Sequence, residues 1–205
     1  MKVYATRAAT HMLVLWLSAF LIIGPVTFAQ DNVDVQPPPD TSPARDQSQP
    51  IFSQQELDQM LAPIALYPDT LLTQILMAST YPLEVIQAAR WSKANPDRKG
   101  EQAVQAVADK PWDPSVKSLV AFPQLLFMMD EKLDWMERLG SAFLGQQSQV
   151  MDTVQQLRQK ASAAGHLQSN EQIQVQPQGQ TIVIEPTNPQ VIYVPYYDPM
   201  VVYGP

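Results

Sequence analysis

Four tyrosines crowd the last stretch of the chain, "NPQVIYVPYYDPMVVYGP": Tyr193, Tyr196, Tyr197 and Tyr203. A phenol combines an apolar ring with a polar tip. Such a cluster either packs back on a core or presents a surface to an extended partner or a sugar. Both readings stay open, and the four tyrosines are the candidate binding residues. The segment also repeats on itself. Asn188-Pro189 answers Asp198-Pro199 ten residues later, Val191-Ile192-Tyr193 answers Val201-Val202-Tyr203, and Pro195 answers Pro205.

Other chemistry is sparse. The chain has no cysteine, which excludes disulfides, thiolate metal ligands and thiol nucleophiles. His166 sits beside an expected helix end, where it reads as a partner of the helix dipole rather than a base. No serine lies in a nucleophile elbow, and no glycine-rich loop is placed to cradle phosphate. Asp130, Glu131 and Asp134 are spaced for a solvated helix face rather than around an ion. No catalytic residue, metal or cofactor is assigned. A pair of carboxylates that meets only in three dimensions, as glycoside hydrolysis needs, stays open.

The net charge is −7, and no basic patch interleaved with aromatics appears. That argues against nucleic acid and against tight binding to an anionic lipid surface.

The elements that must position the tyrosines follow from periodicity. Lys2 and Arg7 precede "MLVLWLSAFLII", an apolar run of about 12 residues against the roughly 20 needed to cross a bilayer. Gly24-Pro25 breaks it. Residues 1–29 therefore read as a secretory signal cut after Ala29, leaving no stable membrane insertion; an uncleaved anchor is the alternative. Residues 30–50, "QDNVDVQPPPDTSPARDQSQP", are proline-rich and nearly free of large apolar groups, and are expected to be a disordered linker.

Residues 51–170 read as a helical domain. Ser53 and Glu56 form a capping box ahead of Leu57, Met60, Leu61 and Ile64. Asp69 or Thr70 is expected to cap a helix burying Leu71, Leu72, Ile75 and Leu76. Pro82 and Pro114 sit at first-turn positions, with Asp113 as a cap. Trp91, Trp112 and Trp135 read as core closing the ends of helices. The longest regular stretch runs from Leu133 to Ala164. Met136, Gly140, Phe143, Gln147, Val150, Val154, Leu157, Ala161 and Ala164 form a heptad-like seam, with Gly165 at the C-cap. The seam is either the core face of one long helix or a homodimer contact from Met136 to Ala164.

Residues 171–205 change period. Arms 172–176 and 181–185 read as a β-hairpin around Gly179. "VIYV" and "VVY" read as two further short strands after Asx-Pro turns, with Val191, Tyr193, Val201 and Tyr203 on one covered face. The fold class expected is mainly α: a helical bundle with one long C-terminal helix, followed by a small antiparallel β segment.

"ALYPDTLLTQILMASTYPLEVIQAARW", "KPWDPSVKSLVAFP", "KLDWMERLGSAFLGQQSQVMDTVQQLRQKA" and "IVIEPTNPQVIYVPYYDPMVVYG" resemble, in that order, a family of secreted bacterial proteins known as domain of unknown function 3300 (DUF3300). The likeness runs from about Phe52 to Gly204. It implies export, a helical domain and a short Tyr/Pro-bearing β segment, and it carries over no site residue. The expectation is an exported protein, periplasmic or extracellular, that binds or scaffolds an unknown protein or envelope component without catalysis. A carboxylate-based hydrolase acting on cell-wall or surface polymer, and an assembly protein pairing through the seam, are the alternatives.

Overall fold

A computed structural model describes residues 51–188 and 191–204, all within one unit, Asp46–Pro205. The expected leader, 1–29, and linker, 30–50, lie outside the described residues. Among the described residues there are nine helices and one two-stranded antiparallel sheet.

Local sequence explains most helix starts. In α1 (Gln54–Leu61) the Ser53 side chain accepts from the Glu56 N–H, and the Glu56 carboxylate accepts from the Ser53 N–H. Pro63, without an N–H, then prevents the helix from continuing. Proline holds the first helical position in α3 (Pro82–Ala94), α5 (Pro114–Leu119) and α6 (Pro123–Glu131), where no intrahelical donor is lost. Asp113 caps α5 through the Ser115 N–H at 2.8 Å. α2 (Asp69–Ala78) departs from expectation, because no side chain caps it. Asp69 directs its carboxylate to Arg158 and to the Ile184 N–H instead. A short α4 (Gly100–Ala106) completes this half.

The stretch expected as one continuous helix is divided. α7 (Leu133–Gly145) ends and α8 (Gln147–Ala163) begins around Gln146, whose backbone leaves the helical region at φ −139° and ψ 38°. The reason is a tertiary contact. The Gln146 amide accepts from the Phe52 N–H at 2.7 Å and donates to the Phe52 carbonyl at 3.0 Å, pinning the entry of α1 to the break. α8 remains the longest helix, and it ends in a Schellman cap. The His166 N–H bonds the Ala161 carbonyl, and Gly165, at φ +78°, turns the chain.

The seam residues Met136, Gly140, Val150, Val154, Leu157 and Ala161 are buried in the chain's own core, whereas Gln147 and Ala164 are exposed. Gly140 is required by proximity: a Cβ there would lie 2.3 Å from the Ser79 carbonyl oxygen. The main core joins α1 to α8 through such residues as Leu61, Ile75, Val85, Leu119, Met129 and Leu139. Trp112 is buried and donates its indole N–H to Gln87. Trp135 is half-buried and donates to the Met60 carbonyl, and Trp91 packs half-buried on the same core.

The hairpin is β1 (Ile173–Gln178) and β2 (Thr181–Pro186), in register Val175 to Ile184 and Gln178 to Thr181, with Gly179 at φ +64° in the turn. Ile173, Ile182 and Ile184 point inward and build a smaller second core with Leu66, Ala161 and Val202.

The tail corrects the expectation of two further strands. Among the described residues the sheet has two strands only, and "PMVVY" forms a helix, α9 (Pro199–Tyr203). Asp198 caps it through the Met200 N–H at 2.9 Å, and Pro199 fills the first turn. Helical spacing therefore replaces alternation. Ile192, Tyr197, Val202 and Tyr203 pack on the domain, while Val191, Tyr193 and Val201 are exposed.

Candidate functional site

The site is built outward from one buried guanidinium. Arg158 of α8 is 1 % exposed. It donates to the carbonyls of Ala65 at 2.8 Å, Tyr67 at 3.0 Å and Ile182 at 2.8 Å, and pairs with Asp69. Two of those carbonyls belong to the irregular turn between α1 and α2, which has few intrahelical partners to offer. Arg158 thus fastens that turn and β2 to α8 at once.

On this fastened turn the tail is seated by Tyr197. Its hydroxyl donates to the Ala62 carbonyl at 2.6 Å and accepts from the Leu66 N–H at 3.3 Å. Its ring stands edge-on to Tyr67 at 6.3 Å and to Tyr203 at 6.5 Å, both within the range of favourable aromatic pairs. Burial raises the pKa of all three phenols. Tyr203 is pushed up to about 12, mainly by desolvation, and Tyr197 and Tyr67 are raised for the same first cause. At neutral pH these phenols are uncharged. The Tyr203 hydroxyl is buried without a hydrogen-bond partner among the described residues.

The four candidate tyrosines therefore divide. Tyr197 and Tyr203 hold the tail down, Tyr193 is 40 % exposed, and Tyr196 projects fully into solvent at 102 %. Tyr196 and Tyr197 line one groove of about 660 Å³, together with Pro63, Tyr67, Phe122 and Met128. Pro123, Pro195 and Pro199 extend the apolar wall, and Gln124 and Lys132 supply polar groups. Among the described residues no carboxylate lines it. A second groove of about 490 Å³ shares Pro63 and Pro199 with the first and includes Tyr203. The arrangement offers flat rings, fixed proline edges and one cation. Flat rings and fixed proline edges are able to hold an extended ligand.

The other candidates sit elsewhere. His166 is exposed at the α8 cap. Asp130 pairs with Lys93 at 3.0 Å, and Glu131 and Asp134 are exposed on their helices. Glu56 and Asp134 share a depression of about 200 Å³. Hydrogen bonds from Ser53, then the charge of Arg138, hold the Glu56 carboxyl below its ordinary range.

Sequence reasoning missed Tyr67, Phe122 and Lys132 as groove residues, and Arg158 as their support. One signal for the aromatics is present: Tyr67 and Phe122 each precede a proline that opens a helix. A residue before proline is disfavoured from the helical region, so each of these aromatics marks the end of an irregular turn. Arg158 gives no such signal, because an arginine beside Leu157 is indistinguishable from a solvated helical position.

The model of the family described as "Protein of unknown function (DUF3300)" matches residues 53–205. A curated relative, uncharacterized protein YacH of Escherichia coli (strain K12), is 46 % identical over 185 aligned residues, covering 75 % of this chain and 30 % of the relative. The chain thus spans about three-tenths of the length of that relative. No solved structure matches.

Proposed function

The chain belongs to the DUF3300 family of proteins of unknown function, and from that premise we propose that it is a non-catalytic binding or scaffolding protein of the cell envelope. The observation that carries the reading is the division of labour between adjacent tyrosines. Tyr197 is committed to the fold through two backbone bonds, whereas its neighbour Tyr196 is wholly exposed at the rim of a ring- and proline-lined groove. Holding a large aromatic side chain at full exposure on an anchored segment gains no burial energy, and it suits a surface that a partner covers. Envelope location rests on the leader-like start of the chain. Among the described residues no helix is long and apolar enough to cross a membrane, in keeping with a partner-facing domain outside the bilayer.

The test is a photoreactive residue placed at Tyr196, Val194 or Leu144 in the full chain in living cells. Leu144 is the control, because it is exposed on α7 and lies outside the groove. The reading expects one recurring adduct at 196 and 194 and none at 144. Equal, scattered labelling at all three positions would overturn it.

A further inference from the structure

We propose that a third groove, between the end of α3 and the start of α6, is a site for a phosphate group carried on a molecule with an apolar body. The site goes beyond the binding reading above and does not depend on it, although the two grooves share Pro123 and Gln124.

Local sequence builds one wall. α3 carries Lys93 in its last turn and ends at Asn95. The Asn95 side chain donates to the Trp91 carbonyl at 2.8 Å, and the Asn95 carbonyl accepts from the Arg98 N–H at 3.0 Å. This fixed turn brings Arg98 and Lys99 into the same lining as Lys93. Pro123, Gln124 and Phe127 of α6 form the opposite wall, and the space between measures about 570 Å³.

Charge is the first reason for the assignment. The chain carries a net −7, yet three cations line this groove and, among the described residues, no carboxylate does. Lys93 is held by Asp130 at 3.0 Å and lies over the Phe127 ring. Arg98 and Lys99 are exposed and have no ion pair among the described residues. Asp97, next to Arg98 in sequence, stays out of the lining. A concave surface of one sign concentrates its counter-ion. A guanidinium matches phosphate oxygens in pairs, and an ammonium adds a point charge.

The second reason is Ser92. It belongs to the lining and is 5 % exposed, and its hydroxyl has no hydrogen-bond partner among the described residues. A helical serine ordinarily bonds the carbonyl one turn back, and a buried polar group without a partner is destabilising. A ligand oxygen would accept its proton. Phosphate presents more acceptor oxygens than a carboxylate, enough to meet Arg98, Lys99 and Ser92 together. The third reason is the rest of the lining. Pro96, Ala121, Pro123 and Phe127 are apolar, and a bare phosphate leaves them uncovered. The acidic chain repels a row of negative charges, so the ligand carries one phosphate rather than many.

NMR titration of the full chain with phenyl phosphate, inorganic phosphate and phenol tests the site through the Ser92, Arg98 and Phe127 signals. Phenyl phosphate should saturate these signals and bind more tightly than inorganic phosphate, and phenol should not saturate them. R98A/K99A should weaken phenyl phosphate binding about tenfold or more. Ser92→Ala should weaken it several-fold without lowering the melting temperature. Lys110→Ala removes an exposed cation outside the groove and should change nothing. No saturable shift, equal affinity in R98A/K99A, or an equal loss in Lys110→Ala would overturn the proposal. Phosphatidylcholine vesicles with and without phosphatidic acid distinguish the sources of the phosphate. Sedimentation with the acidic vesicles that R98A/K99A abolishes supports a lipid headgroup, and phenyl phosphate binding without sedimentation supports a soluble molecule. Crosslinks at 196 that persist in R98A/K99A keep the fate of the binding reading separate from that of this site.

Discussion

Arg158 is the residue on which two otherwise separate regions depend. Its guanidinium satisfies three backbone carbonyls and one carboxylate from α2, the α1–α2 turn and β2. Removing one partner of a buried charge network leaves the others desolvated and unpaired. Arg158→Ala should therefore cost about 3–5 kcal/mol. For a chain of this size that lowers the melting temperature by about 10 °C, read by calorimetry. The tyrosine cluster makes a second, pH-linked prediction. An unfolded phenol titrates near 10, whereas Tyr203 titrates at about 12 in the fold, and Tyr197 and Tyr67 are raised too. Above pH 10 the unfolded chain sheds these protons and the folded one keeps them. The stability they contribute is whole below pH 10 and is lost as pH climbs from 10 to about 12. Urea midpoints across that window should fall. Tyr203→Phe should flatten part of the fall and leave neutral-pH stability equal or slightly higher, since the lost hydroxyl has no partner among the described residues.

At the scale of elements, Asp198-Pro199 shows both what the sequence discloses and what it hides. Asp113-Pro114 and Asp198-Pro199 make the same cap, with the carboxylate on the N–H two residues on and proline in the first turn. The first reads as a helix start because an apolar face follows for several residues. The second is followed by "MVVY", whose β-branched pair and short length read as a strand. The cap chemistry is the better guide, because it acts on the backbone directly. Asp198→Ala should cost about 1 kcal/mol, measured as a shift in denaturant midpoint, with the larger effect on signals from Pro199 and Tyr203. Elsewhere the helix starts at Ser53, Pro82 and Asp113 and the hairpin around Gly179 are legible for the same local reason. The break at Gln146 is not, since its cause is Phe52, remote in sequence. The groove was half legible. Tyr196 and Tyr197 stand out by composition, but Pro63, Phe122 and Lys132 reach them only through the fold.

At the scale of the molecule, the tail completes a second core and one wall of the groove together. Ile192, Tyr197, Val202 and Tyr203 bury surface worth on the order of 4 kcal/mol or more in total against the domain. A chain ending at residue 187 should melt several degrees lower than the full chain, and its groove-dependent crosslinks should vanish. The central claim is that Tyr197 anchors the tail so that Tyr196 is left free for a partner. Tyrosine-selective chemical modification, mapped residue by residue by mass spectrometry with and without an envelope extract, tests it most directly. The account predicts that Tyr196 reacts fastest, that Tyr67, Tyr197 and Tyr203 stay protected, and that the extract shields Tyr196 while leaving exposed Tyr81 reactive. Equal reactivity of Tyr196 and Tyr197, or a Tyr196 that the extract leaves unchanged, would contradict it.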